Sequence, residues 1–69
     1  MRNLILAYER GHHRINVMKK ALESLGQPVI VATDNFDNIK GPFDRIWTLS
    51  ESLLPVQAQL ELKWGINNL

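Results

Sequence analysis

The chain of 69 residues contains no cysteine, so disulfide bonds and cysteine-ligated zinc sites are both excluded. Neither sign of charge is in excess: the net charge is +1, which gives no support to a nucleic-acid partner. No apolar run approaches the ~20 residues of a membrane-spanning helix, and residues 4–8 are too few for a signal peptide. We therefore expect a cytoplasmic protein with no membrane and no nucleic-acid partner.

Glycine is also scarce, and the turn after the first apolar run contains only Gly11. A dinucleotide-binding loop requires the pattern Gly-x-Gly-x-x-Gly, whereas residues 9–14 read Glu-Arg-Gly-His-His-Arg. Bulky side chains at this turn would keep a pyrophosphate away from the backbone. Asp34, where a ribose-binding acid would lie, is therefore predicted to be a turn residue.

Strand-like and helix-like segments alternate along the chain. Residues 4–8 and 28–33 are continuous apolar runs, typical of strands buried in a parallel sheet. Residues 14–25 between them have helical periodicity, and Gly26 is placed to end that helix in a left-handed conformation. The apolar stripe of this helix comprises Ile15, Met18, Ala21, Leu22 and Leu25.

The second half of the chain predicts a loop or one helical turn at residues 34–38, a third strand at 43–49 and a helix at 55–64. Pro55 fits the first helical position, and Gly65 ends the helix. The apolar stripe of this helix comprises Val56, Leu60 and Trp64.

The order of these segments predicts one domain over residues 1–69. We expect a small three-layer α/β/α Rossmann-like domain with a parallel sheet of three or four strands and right-handed crossovers. The sequence leaves open whether the third strand lies beside the first or the second. A thin sheet has two open edges, which allows a homodimer through one edge or further strands. Residues 66–69 resemble the start of another element, so we expect the N-terminal part of a longer protein.

Functional candidates lie where strands end, because parallel sheets commonly bind ligands at their carboxyl edge. Arg10, His12, His13 and Arg14 surround the N-terminus of the first helix, and with Gly11 they form a turn at an end that favours anions. This turn is either an anion site or a group of solvated side chains. Ser50-Glu51, after the third strand, lies on the same edge and is the other candidate. Its alternative is structural: Ser50 caps a helix and Glu51 favours the helix N-terminus.

Two other chemistries are disfavoured at this turn. Adjacent histidines do not share a helix face, and no carboxylate has the spacing of a metal ligand, so we predict no metal site. No serine or cysteine stands close enough in the sequence to form a nucleophile pair with either histidine. We therefore predict no catalytic residue in this chain.

Residues 44–51 (Asp-Arg-Ile-Trp-Thr-Leu-Ser-Glu) and 56–66 (Val-Gln-Ala-Gln-Leu-Glu-Leu-Lys-Trp-Gly-Ile) resemble the N-terminal, pre-ATP-grasp domain of ATP-grasp ligases. Members of that superfamily include biotin carboxylase, carbamoyl phosphate synthetase and amino-acid ligases. They have a third strand ending in an acid and, after a helix, a Leu-Gly-Ile-like segment. Ser50-Glu51 and Trp64-Gly65-Ile66 occupy those places here, whereas the first turn has fewer glycines than is usual in the family.

This resemblance implies the substrate-side domain of an ATP-dependent carboxylate–amine/thiol ligase, without catalytic activity of its own. ATP and magnesium would bind to later domains of the parent chain, so this domain has no cofactor. Its partners would be those domains and a small-molecule substrate. Two alternatives remain: the N-terminal half of a two-domain glycosyltransferase, whose Gly-His turn faces the acceptor, and a small flavodoxin-like interaction module.

Overall fold

The computed structural model of the protein describes residues 1–66. The chain forms a mixed α/β structure whose elements, in order, are β1 (Asn3–Leu6), α1 (His13–Ser24), β2 (Val29–Ala32), β3 (Arg45–Thr48) and α2 (Leu54–Trp64). Short 3₁₀ segments at Phe36–Asn38 and Glu51–Leu53 precede β3 and α2, respectively. The predicted start of another element after Gly65 falls mainly on residues 67–69, which lie outside the described residues.

The three strands form one parallel sheet in the order β2-β1-β3. Asn3 lies opposite Val29 on one side and opposite Arg45 on the other. The predicted parallel sheet is confirmed, and the question left open by the sequence is answered, because the third strand lies beside the first.

The central strand β1 is buried throughout, and the apolar run predicts this for Leu4, Ile5 and Leu6. The prediction is wrong at Tyr8, which follows the strand and is 55% exposed. Successive strand side chains point to opposite faces. Leu4 and Leu6 belong to one apolar cluster, which includes Leu60 of α2, and Ile5 belongs to a second cluster, which includes Ile15 of α1. The two helices therefore pack against opposite faces of β1.

The edge strand β2 is less buried than its apolar sequence suggests. Ile30 remains 49% exposed, although Ala32, on the same face, packs against the cluster that contains Leu60. α2 contacts β3 and thus lies toward the opposite edge of the sheet. The prediction that β2 is covered on both faces is therefore wrong at Ile30.

The end of α1 follows the local sequence closely. Gly26 has φ of 75°, its N–H donates to the Glu23 carbonyl, and the N–H of Gln27 donates to the Leu22 carbonyl. This is the predicted left-handed termination, in the form of a Schellman motif.

The predicted apolar stripe of α1 is only partly buried. Ile15 and Leu22 are buried and Met18 is half-buried, whereas Ala21 is exposed and Leu25 is 71% exposed. A helix of 12 residues is about 18 Å long, but a strand of four residues spans only about 13 Å. The C-terminal part of α1 therefore has little sheet beneath it, and the prediction is wrong at Ala21 and Leu25.

α2 begins at Leu54, one residue earlier than predicted, and Pro55 lies in its first turn. Gly65 ends it with φ of 66°, as predicted. Leu60 is buried and Val56 and Trp64 are half-buried, so the predicted stripe of this helix is confirmed.

Candidate functional site

A cleft of about 240 Å³ opens at the carboxyl edge of the sheet, between the ends of β1 and β3. The residues lining it come from the chain after β1, from the N-terminus of α1 and from the chain after β3: Ala7, Tyr8, Glu9, His12, Leu49 and Ser50. The chain leaves β1 toward α1 on one face of the sheet, and it leaves β3 toward α2 on the other. The cleft therefore lies at a topological switch point, where open parallel sheets bind their ligands.

Hydroxyl groups connect the two sides of this cleft. The Tyr8 and Ser52 hydroxyls are hydrogen-bonded at 2.8 Å, and the Ser52 and Ser50 hydroxyls at 3.1 Å. The Tyr8 ring also packs edge-on against Phe36, with the ring centroids 6.4 Å apart. Each hydroxyl can donate one hydrogen bond and accept others, so the chain presents a polar wall that can donate to a ligand or accept from it, beside the Glu9 carboxylate.

His12 performs a structural task as well as lining the cleft. It is the N-cap of α1, and its Nδ1 accepts a hydrogen bond from the Arg14 backbone N–H at 3.2 Å. Because Nδ1 is the acceptor, the neutral ring carries its proton on Nε2, which is therefore a donor. The N–H of Ile15 donates to the His12 carbonyl at 3.1 Å, so the first turn of α1 already satisfies part of its own backbone.

The other candidates at this turn do not line the cleft. Gly11, His13 and Arg14 are exposed and lie outside its lining residues. Arg10, expected beside them, instead donates from its guanidinium to the Val31 carbonyl on β2 at 3.1 Å. Of the turn residues named from the sequence, the structure brings only His12 to the cleft.

The residues after β3 divide in the same way. Ser50 lines the cleft, whereas Glu51 is exposed and does not line it. Ser50 is the N-cap residue of the 3₁₀ turn, but its side chain makes no capping hydrogen bond to the backbone, so the alternative that Ser50 caps a helix is wrong. Its hydroxyl is bonded to Ser52 instead.

The sequence did not identify Tyr8, Glu9 and Leu49 as residues of the cleft. The only sequence feature that points to these residues is that each closely follows the end of a strand. That signal becomes useful only when β1 and β3 are known to be neighbours. The sequence places Tyr8 in the apolar run of residues 4–8 and predicts it to be part of the first strand.

Within residues 1–66 no group of three or more His, Asp or Glu side chains is arranged to hold a metal ion. The same part of the chain contains no helix that is both long and apolar enough to cross a membrane. Comparisons with protein-family models, with curated proteins and with solved structures give no match to this chain. A functional assignment must therefore rest on the geometry of the cleft and on the sequence.

Proposed function

We propose that the domain binds a small carboxylate substrate in the cleft between β1 and β3. In this proposal it is the substrate-side domain of an ATP-dependent carboxylate–amine/thiol ligase, with a three-layer Rossmann-like arrangement. The observation that carries the proposal is the position of the cleft at the β1/β3 switch point. Ser52 can donate in only one of its two hydroxyl bonds, so at least one of Tyr8 and Ser50 donates to Ser52. The donors left for a carboxylate are the other hydroxyl of that pair and the Nε2–H of His12.

The resemblance of residues 44–51 to the ligase family supports the same position. In that family the third strand ends in an acid and the domain lies on the substrate side of the active-site cleft; here Ser50, at the end of the third strand, lines the cleft. Glu51 is offered as a second contact, to a part of the substrate that extends beyond the cleft.

The small size of the cleft supports a binding site that is shared between this domain and later domains. Its volume of about 240 Å³ is below the roughly 300–1,000 Å³ of complete small-molecule sites. We propose that later domains of the parent chain close the site and bind ATP and magnesium, while this domain supplies no catalytic residue and no cofactor.

Calorimetry on this chain tests the proposal, using amino acids and short dicarboxylic acids as one panel and Mg-ATP as a separate ligand. We expect weak saturable binding of at least one carboxylate and no binding of Mg-ATP. Tyr8→Phe and Ser50→Ala should each weaken carboxylate binding, because each removes one hydroxyl from the cleft. Saturable binding of Mg-ATP, or a panel in which no carboxylate binds, would overturn the proposal.

His12→Asn provides the sharpest variant, with His13→Asn as its matched control. Asparagine can still cap α1, so His12→Asn removes the imidazole from the cleft without removing the cap. His13 does not line the cleft. Weaker carboxylate binding in His12→Asn alone supports the proposal, and equal binding in both variants contradicts the role of His12.

A second candidate is the acceptor-side half of a two-domain glycosyltransferase. It is favoured by one observation, that the Gly11-His12 turn places the His12 side chain against the cleft. Neutral sugars and alcohols would then bind to the cleft in preference to carboxylates. Adding both classes to the calorimetric panel distinguishes the two proposals.

The third candidate is a flavodoxin-like module that forms a homodimer through a sheet edge. Its support is that, within residues 1–66, β2 and β3 pair only with β1, so each has one edge that is open to another strand. Sedimentation velocity tests it, since a dimer that persists on dilution would favour this function and a monomer at all concentrations would contradict it.

A further inference from the structure

A second groove lies beside β2, and its volume is about 430 Å³. Its walls are formed by Ile30–Ala32 of the strand, by Phe43, by the loop after β2 and by the side chains of Arg10 and Lys40. β2 pairs only with β1 among residues 1–66, so its outer edge is open to another strand.

The hydrogen bonds to β1 determine which backbone groups of β2 face outward. The N–H of Asn3 donates to the Pro28 carbonyl, and the N–H of Ala7 donates to the Ala32 carbonyl. Alternate residues of a paired strand face its partner, so Val31 directs its N–H and carbonyl away from β1. The Arg10 guanidinium donates to this Val31 carbonyl at 3.1 Å. Arg10 therefore occupies an acceptor that an added strand would use.

We propose that the β2 edge binds an extended peptide segment that carries a carboxylate and pairs with β2 as an additional strand. The incoming strand supplies its own N–H to the Val31 carbonyl, and the guanidinium of Arg10 is released. A carboxylate is the strongest acceptor for that guanidinium, so an acidic side chain on the segment completes the exchange. Strand addition of this kind takes its affinity from main-chain hydrogen bonds and its specificity from alternate side chains.

The charges and apolar surface of the groove agree with such an occupant. Arg10 and Lys40 line it together with a single acid, Asp34, so its lining carries net positive charge. Ile30 is 49% exposed and also lines the groove. Alternate side chains of an added strand point to opposite faces of the sheet, and an apolar one on the face of Ile30 can cover it.

The test uses the blocked pentapeptide Thr-Val-Glu-Val-Thr and the same peptide with Lys in place of Glu, titrated into the full chain. We expect saturable binding of the Glu peptide and slower hydrogen exchange at the Val31 amide. The Ile46 amide, on the outer edge of β3, should not change. The Glu peptide should bind about tenfold more tightly than the Lys peptide, as expected for one charge-assisted hydrogen bond.

Arg10→Gln and Arg14→Gln form a matched pair of variants, because both remove one exposed cation from the same turn and only Arg10 lines the groove. The preference for the Glu peptide should collapse in Arg10→Gln and persist in Arg14→Gln. Equal affinity of the two peptides for the unsubstituted chain would overturn the proposal. Unchanged exchange at Val31, or protection at Ile46 instead, would also overturn it. None of these readouts involves the cleft between β1 and β3.

Discussion

Asn3 is a polar residue that is completely buried at the start of the central strand. Its Nδ2 donates to Gln27 Oε1 at 3.0 Å, and its Oδ1 accepts from Trp47 Nε1 at 3.1 Å. A buried polar group is stable only when it is hydrogen-bonded, so Asn3 and Trp47 depend on each other. Asn3 thereby connects β1 to β3 and to the loop after α1.

Asn3→Leu should lower the free energy of unfolding by about 1–3 kcal/mol, because it leaves the Trp47 indole N–H without its acceptor. Urea denaturation followed by tryptophan fluorescence measures this change. Gln27→Ala is the control, with a smaller loss of about 0.5–1.5 kcal/mol, since Gln27 is half-buried. Equal stability of Asn3→Leu and the unsubstituted chain would contradict this account.

Gly41 is restricted by the side chain of Trp64 on α2. A Cβ atom at residue 41 would overlap the Trp64 indole, whose ring packs at 5.4 Å from the Phe43 ring. Gly41→Ala should therefore displace the indole and cost about 1–3 kcal/mol of unfolding free energy. Gly11→Ala is the matched control, because no atom lies within 4 Å of its added Cβ. Thermal denaturation of both variants measures the difference, and equal losses would show that the indole yields without cost.

At the scale of the element, α1 shows that local sequence determines where a helix ends but not which of its side chains are buried. The C-terminus of α1 is predicted correctly because Gly26 ends the helix through its own backbone conformation. The burial of Ala21 and Leu25 is predicted wrongly because it depends on the length of the strands beneath α1. Helical periodicity locates an apolar stripe, but the neighbouring element decides how much of it is covered.

The N-terminus of α1 depends on His12, because its first turn contains no acidic residue. His12→Ala should lower the unfolding free energy by about 1 kcal/mol through loss of the cap, while His12→Asn should retain most of it. Circular dichroism during urea denaturation measures both variants. The same loss in both would mean that His12 stabilises the chain by some means other than capping.

At the scale of the whole molecule, the sequence predicts the parallel sheet but not the composition of the cleft. Strands and helices follow from periodicity and from glycine and proline positions, which are local. The residues at the cleft are far apart in the sequence. Tyr8 and Ser52 are separated by 44 residues and meet only because β3 lies beside β1. His12 and Ser50 could therefore be named only as ends of elements, and Tyr8 could not be named.

The central claim is that the cleft between β1 and β3 holds a small carboxylate. The most direct measurement is the map of amide chemical shifts during titration of the isotope-labelled chain with the carboxylate that binds most tightly in calorimetry. The account predicts saturable shifts concentrated at Tyr8, His12 and Ser50, with none along β2. Shifts concentrated at the β2 groove or on α2, with the amides of the cleft unchanged, would contradict it.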